Sequence, residues 1–129
     1  MALPTSSCGT ANEGIVELSE IAENPQSWDG KVVQVSGWLV QCQDLECHMV
    51  ATKAERDLVY FGCPGERCDE ALAVHLVGIG GNGEFDEAAK LFLGERIILT
   101  ATVDAQSWSH CLDRCGTLDP IGIRAFSDF

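Results

Sequence analysis

The chain has 129 residues, of which 46% are hydrophobic, and a formal net charge of −12 at pH 7 from 20 acidic and 8 basic residues. This length and apolar content predict one globular domain and argue against an intrinsically disordered chain. No apolar run reaches the roughly 18 residues that a membrane-spanning helix needs. Nucleic acid and anionic lipid are not expected as partners, because binding them requires clustered positive charge, and the lysines and arginines here are scattered.

The chain begins with a segment that has no periodicity. Residues 1–14 are small and polar and predict a flexible N-terminal segment, followed by a single domain over 15–129. A short apolar run at 15–18 leads into a short helix, which we expect Ser19 to cap and Pro25 to end. The first residues lack the charged and apolar regions of an intact signal peptide.

The rest of the chain alternates between strand patterns and one helix pattern. KVVQVSGWLVQC (31–42) predicts a strand with a bulge or bend at Gly37, because a glycine within a strand marks such an irregularity. KAERD (53–57) is interpreted as a polar turn or loop. EFDEAAKLFLG (84–94) has helical apolar spacing, acids in its first turn and Gly94 at its end. Further strands are predicted at CHMVAT (47–52), LVYFGC (58–63, a third short strand or the end of the second), EALAVHLVGIG (70–80), ERIILTATVDA (95–105) and IGIRAF (121–126).

This order of elements predicts a mainly β fold. Five strands with one helix between the third and fourth, preceded by a short N-terminal helix, are the plan of a five-stranded OB-fold-like barrel. In that plan the first strand bends so that it takes part in both sides of the barrel, and Gly37 is expected to allow this bend.

Three stretches carry a resemblance to a known class of proteins. LSEIAENPQSWDGKVVQVSGWLV, with its NP…GK turn and V-x-V-x-G strand, resembles the entry segment of small bacterial OB-fold proteins of the cell envelope, including exported proteins and lipoproteins. GERIILTATVDA is similar to their fourth strand, and CLDRCGTLDPIGI to the tail of poorly characterised, cysteine-containing proteobacterial members. The resemblance spans 15–127 in layout. It implies the OB fold and carries over no catalytic residues.

Seven cysteines are a high number for a chain of this size. Six of them form three local pairs, and Cys8 is left over as a free thiol or the site of a lipid anchor. The favoured interpretation is a disulfide framework in an exported protein whose leader has been removed. Bonds between loops, such as Cys42 to Cys111 or Cys115, remain open, since six cysteines allow 15 connectivities. The three local pairs are Cys42/Cys47, Cys63/Cys68 and Cys111/Cys115.

Two other uses of the cysteines compete with disulfides. If the Cys42/Cys47 and Cys111/Cys115 loops rise on the same side of the barrel, these four thiols provide a tetrahedral zinc site. His48 and His110 stand next to cysteines and are substitute ligands. A thioredoxin-like redox pair is disfavoured, because no pair has two residues between its cysteines at the start of a helix.

The remaining candidates are for binding. Trp38, His48 and Trp108 are predicted to line a binding face between the two cysteine loops, and Arg114 to pair within its own loop. No nucleophile–base pair is evident, so the favoured function is a non-enzymatic, disulfide-stabilised binding module of the periplasm or cell envelope. Its acidic surface indicates a protein or small cationic ligand as partner, and no cofactor is expected. The alternative is a cytoplasmic OB-fold domain with structural zinc, acting within a protein or nucleic-acid assembly.

Overall fold

The computed structural model describes residues 14–43, 46–61, 76–106, 114 and 116–126. These residues form six strands, three α-helices and two 3-10 turns. The strands are β1 (Ile15–Glu17), β2 (Val32–Gln43), β3 (Glu46–Val50), β4 (Val77–Gly78), β5 (Arg96–Val103) and β6 (Leu118–Ala125). The α-helices are α1 (Leu18–Glu23), α2 (Lys53–Phe61) and α3 (Gly83–Ala89), and 3-10 turns cover Pro25–Trp28 and Lys90–Phe92.

The strands form one mainly antiparallel sheet, which is not closed. Its order is β4-β3-β2-β5-β6, and the short β1 runs parallel to β2 beside this path. A single parallel bridge between Ile79 and Leu118 brings the β4 side of the sheet against β6. There the Gly80 amide donates to the Leu118 carbonyl at 2.8 Å. The predicted mainly β fold is confirmed.

The irregularity in β2 lies three residues beyond the predicted position. The register with β3 shifts between Leu39 and Gln41, so the bulge falls at Val40 and not at Gly37. Gly37 is needed for a different reason. A Cβ atom there would lie 2.9 Å from both the Met49 Cε atom and the Val50 carbonyl oxygen. The glycine therefore allows close approach between neighbouring elements rather than a bend.

The helices confirm two predictions and overturn a third. The N-terminal helix forms at α1, although its cap is Glu17 rather than Ser19. The predicted 84–94 helix forms as α3 and the 3-10 turn after it, with the Asn82 side chain accepting from the Glu84 amide at 3.0 Å. Gly94 has a positive φ of 82°, as expected of a residue that ends a helix.

The predicted loop at 53–57 and the strand predicted to begin at 58 are wrong, because residues 53–61 form helix α2. Residues 62 and 63, the last two of the predicted strand, lie outside the described residues. The Thr52 hydroxyl accepts from the Glu55 amide at 3.1 Å and donates to the Glu55 carboxylate at 3.0 Å. This Thr-x-x-Glu pairing satisfies the start of the helix. The apolar residues that suggested a strand lie in the last turn of α2, where Phe61 is 79% exposed.

The core lies between the sheet and the helices that cover it. Central strands β2 and β5 supply alternating buried residues, and α1 adds Leu18 and Ile21. Burying these side chains provides the main favourable term for folding, about 25 cal/mol per Å² of apolar surface. Within the described residues, no helix has the length and apolar character needed to cross a membrane.

Candidate functional site at the Cys42–Cys47 disulfide

The hairpin of β2 and β3 is closed by a disulfide. Cys42 and Cys47 lie directly opposite each other in the register, with Cα atoms 3.8 Å apart and sulfurs bonded at 2.05 Å. Both residues are buried, at 4% and 1% exposure. The predicted local pair Cys42/Cys47 is thus present as a disulfide. The other predicted disulfide residues, Cys63, Cys68, Cys111 and Cys115, lie outside the described residues.

A carboxylate from helix α3 touches the disulfide. Oδ1 of Asp86 lies 3.2 Å from Sγ of Cys42. Because a bonded disulfide sulfur carries no proton, this is a sulfur–oxygen contact in the oxidised protein; a thiol at the same place would donate a hydrogen bond. Asp86 is brought here by the first turn of α3, which begins after the Asn82 cap. Its side chain is only 14% exposed.

Arg114 neutralises Asp86 through contacts with both carboxylate oxygens. Its Nη1 donates to Oδ2 of Asp86 at 3.0 Å, and its Nη2 lies 2.8 Å from Oδ1. Its Nε and Nη2 also donate to the carbonyl of Gly80, at 3.1 and 2.6 Å. A two-point contact of this kind is the strongest arrangement of guanidinium and carboxylate. The expectation that Arg114 pairs within its own loop misses these contacts, which lie 28 and 34 positions away in the chain.

The positive charge of Arg114 also influences the pKa of His48 on β3. Burial lowers the pKa of His48 from its usual 6.5; the Glu46 carboxylate opposes this shift, and the positive charge of Arg114 adds to it. Nδ1 of His48 lies 3.3 Å from Oε1 of Gln41, its partner in the sheet register. His48 therefore favours the neutral imidazole near neutral pH.

Three of these side chains form a possible metal-ligand set. The sulfurs of Cys42 and Cys47 and a carboxylate oxygen of Asp86 all lie within 4.8 Å of one another. The zinc set expected from the sequence was Cys42, Cys47, Cys111 and Cys115, of which the last two lie outside the described residues. Asp86 was not anticipated. As an acid in the first turn of a helix, it carried only the signal of a favourable interaction with the helix dipole.

Two of the three predicted binding residues, Trp38 and His48, lie in the described part of the chain, and both are half-buried. Trp38 is half-buried, and the guanidinium of Arg56 lies 5.0 Å from the centre of its ring. Arg56 also donates from Nη1 to the carbonyl of Gly94, which holds it in place. His48 is partly buried beside Gln41. Trp108 lies outside the described residues.

A groove runs between helix α3 and strand β6. It has a volume of about 480 Å³, and its charged lining residues are Glu84 and Asp119. Phe85 and Ile123 supply apolar surface, and Ile121 at the rim is 61% exposed. One edge of β6 pairs with β5, and along the other edge the described residues pair with β6 only at Leu118. No pattern in the sequence indicates this groove, which is created by packing between distant segments.

Comparison with known proteins adds no relative from which a role could be transferred. The chain has no match among protein family models, curated proteins or solved structures.

Proposed function

We propose that this protein is a non-enzymatic binding module of the bacterial cell envelope, built on an OB-fold-like scaffold. The strand order β4-β3-β2-β5-β6 and the bridge from Ile79 to Leu118 support that scaffold. An OB barrel brings its third and fifth strands together in this way, and β4 and β6 correspond to those two strands. The Cys42–Cys47 disulfide supports an exported location, since such bonds persist in oxidising compartments.

The groove beside β6 is the observation that carries this proposal. An edge strand presents backbone groups that an extended peptide can pair with, and side-chain pockets next to it provide selectivity. Glu84 and Asp119 give the groove a negative charge, in keeping with the net charge of −12 of the chain. The partner is accordingly an extended protein segment that carries basic and apolar side chains.

Two observations favour binding over catalysis. Cys42 and Cys47 are almost completely buried, which suits a structural bond rather than the exposed cystine of a catalytic thiol–disulfide oxidoreductase. Among the described residues, the ring of His48 contacts the amide oxygen of Gln41, which is not a nucleophile that it could activate.

The proposal is tested by titrating the full chain with two short peptides, one of alternating lysine and valine and one of alternating glutamate and valine, followed by amide NMR shifts. We expect the lysine peptide to shift the amides of Phe85, Gly122 and Ile123, and the glutamate peptide to leave them in place. The effect should weaken with salt, because the charges are exposed.

A matched pair of variants tests the location. Ile121→Lys places a positive charge in the groove and should weaken binding of the lysine peptide by about tenfold, equivalent to about 1.4 kcal/mol. Leu91→Lys makes the same change at a leucine that is 80% exposed outside the groove, and binding should persist. Equal shifts with both peptides, or equal binding by both variants, would contradict the proposal.

A second candidate rests on a separate observation. The ligand set of Cys42, Cys47 and Asp86 supports the alternative of a cytoplasmic OB-fold domain with structural zinc. Intact mass with and without reduction, together with metal analysis, separates the two. A loss of about 2 Da per disulfide before reduction supports the exported module. Stoichiometric zinc with free thiols supports the alternative.

A further inference from the structure

We propose that reduction of the Cys42–Cys47 disulfide converts this end of the hairpin into a binding site for a thiophilic divalent cation such as Zn²⁺, with Asp86 as its third protein ligand. The inference does not depend on what the groove binds. It predicts two states of one site: a disulfide bond when the cysteines are oxidised and a metal site when they are reduced.

The three ligands are already assembled by the fold. Cys42 and Cys47 are opposite each other in the register, so when their bond breaks the sulfurs move apart but remain at the same end of the hairpin. Asp86 reaches them from α3, and all three ligand atoms lie within 4.8 Å of one another. Two thiolates and a carboxylate are a ligand set that zinc accepts, with a fourth position left for water or another group.

Arg114 orients the carboxylate, and only one of its contacts with Asp86 competes with a cation at Oδ1. Oδ1 of Asp86 faces Cys42, whereas Oδ2 accepts from Nη1 of Arg114. A cation bound at Oδ1 displaces only the contact with Nη2, and that nitrogen keeps its bond to the Gly80 carbonyl. Hydrogen bonds to the second oxygen of a ligating carboxylate are the usual means of orienting it.

The charges of the site also match a divalent cation. Two thiolates, one carboxylate and the guanidinium of Arg114 sum to two negative charges in a region that is mostly buried. A divalent cation brings this sum to zero, which matters because unbalanced charge is costly away from water. A trivalent or monovalent ion leaves a residual charge.

The chemistry balances with a dithiol as reductant. The dithiol gives two electrons and two protons to the Cys42–Cys47 bond and becomes a disulfide itself, and the sulfur–sulfur bond breaks to give two thiols. Binding of the cation then forms two metal–sulfur bonds and releases two protons to solvent. While the sulfurs are bonded to each other, their thiolate electrons are not available to a metal.

The test measures zinc affinity of the full chain by competition with a chromophoric chelator, before and after reduction with a water-soluble phosphine. Alkylation followed by mass analysis verifies that Cys42 and Cys47 are thiols in the reduced sample. The chain has five other cysteines that can also bind zinc. The affinity of the proposed site is therefore judged from the difference between variants. Asp86→Asn should lower the zinc association constant of the reduced protein by about 10- to 100-fold.

Two further variants separate a ligand from a structural residue. Asp86→Cys also removes the carboxylate that pairs with Arg114, but it supplies a thiolate ligand and should retain tight zinc binding. Glu87→Gln changes an exposed acid of the same helix and should have no effect. Equal affinity of Asp86→Asn and the unmodified chain would overturn the proposal. So would an equal loss in Asp86→Asn and Asp86→Cys, or zinc binding that is as tight before reduction as after it.

Discussion

Two arginines hold opposite ends of the connection between β4 and β5, and they do so in different surroundings. Arg114 donates to the carbonyl of Gly80, before α3, and Arg56 donates to the carbonyl of Gly94, after it. Arg114 is 3% exposed and pairs with a carboxylate that is 14% exposed. Arg56 lies over the rings of Trp38 and Tyr60, and its carboxylate partner Asp57 is 45% exposed.

The difference shows that the surroundings determine what an arginine contributes, more than its hydrogen bonds do. A buried guanidinium depends on its carboxylate, because removal of that partner leaves an uncompensated charge away from water. The Arg56 side chain is 18% exposed, its carboxylate partner keeps more contact with water, and its guanidinium gains from the ring faces. The two ends of one connection should therefore respond very differently to the same substitution.

The largest expected effect comes from neutralising the carboxylate partner of each arginine. Asp86→Asn should lower the free energy of unfolding by about 3 kcal/mol, because Arg114 loses its buried counter-charge. Asp57→Asn, the matched change at the more exposed pair, should cost less than about 1 kcal/mol. Urea unfolding followed by circular dichroism measures both. Similar losses in the two variants would show that burial does not distinguish the pairs.

The disulfide beside Arg114 should contribute less than the buried ion pair. Replacing both Cys42 and Cys47 by alanine opens a short loop, for which chain entropy predicts a loss of about 2 kcal/mol. The control is the next cross-strand pair, Gln43 and Glu46, whose exposed side chains should be removable at little cost. Thermal unfolding of both double variants measures the effect. An unchanged midpoint without the disulfide would mean that the hairpin turn alone holds this register.

At the other end of the connection, the expected effect is smaller. Arg56→Met removes the donor to Gly94 and the cation over Trp38 but keeps an apolar stem, so we expect a loss of about 1 kcal/mol. Arg56→Lys keeps the charge without the planar guanidinium and should recover only part of it. Chemical unfolding of both variants gives the comparison. A loss as large as that of Asp86→Asn would contradict the distinction between the two ends.

Ser36 on β2 is a third case, since it is buried but its hydroxyl has no hydrogen-bond partner among the described residues. Ser36→Ala removes a polar group whose desolvation is uncompensated and should stabilise the protein by up to about 1 kcal/mol. Ser36→Val keeps the site apolar but larger and tests whether space limits the gain. A loss of stability in the alanine variant would indicate that the hydroxyl is satisfied in solution.

The smallest effect expected concerns pH at the Arg114 end. Because burial lowers the pKa of His48 in the folded state, the unfolded chain binds the proton more readily. The stability associated with neutral His48 is present above the usual value of 6.5 and is lost as pH falls through the lower, folded pKa. His48→Gln should make stability less dependent on pH between neutrality and this range. An identical pH profile for the variant would mean that His48 is not perturbed.

Local patterns predicted much of the fold, because β2, β5 and α3 carry apolar spacing that matches their period. Helix α2 was missed because Val59, Tyr60 and Phe61 favour strands by propensity, and the pairing of Thr52 with Glu55 outweighed that preference. The Thr-x-x-Glu pattern at 52–55 is present in the sequence, and it predicts the start of α2 correctly when it is weighted above the strand propensity of the residues that follow.

In the candidate site, too, some contacts join residues that are close in the sequence and others join residues that are far apart in it. Cys42 and Cys47 flank a two-residue connection, so their bond follows from neighbouring residues. Asp86 and Arg114 meet only because α3 and the segment before β6 are packed together, and no spacing in the sequence expresses that contact. Distant ion pairs of this kind require the tertiary structure before they can be recognised.

The bridge between Ile79 and Leu118 has a consequence for the order in which the molecule folds. The hairpin of β2 and β3 closes a loop of two residues, whereas the bridge joins segments that are separated by all of α3 and β5. Closing a longer loop costs more chain entropy, and contacts distant in sequence form more slowly. The groove beside β6 lies next to this contact, so we expect the surface proposed for binding to be completed late in folding.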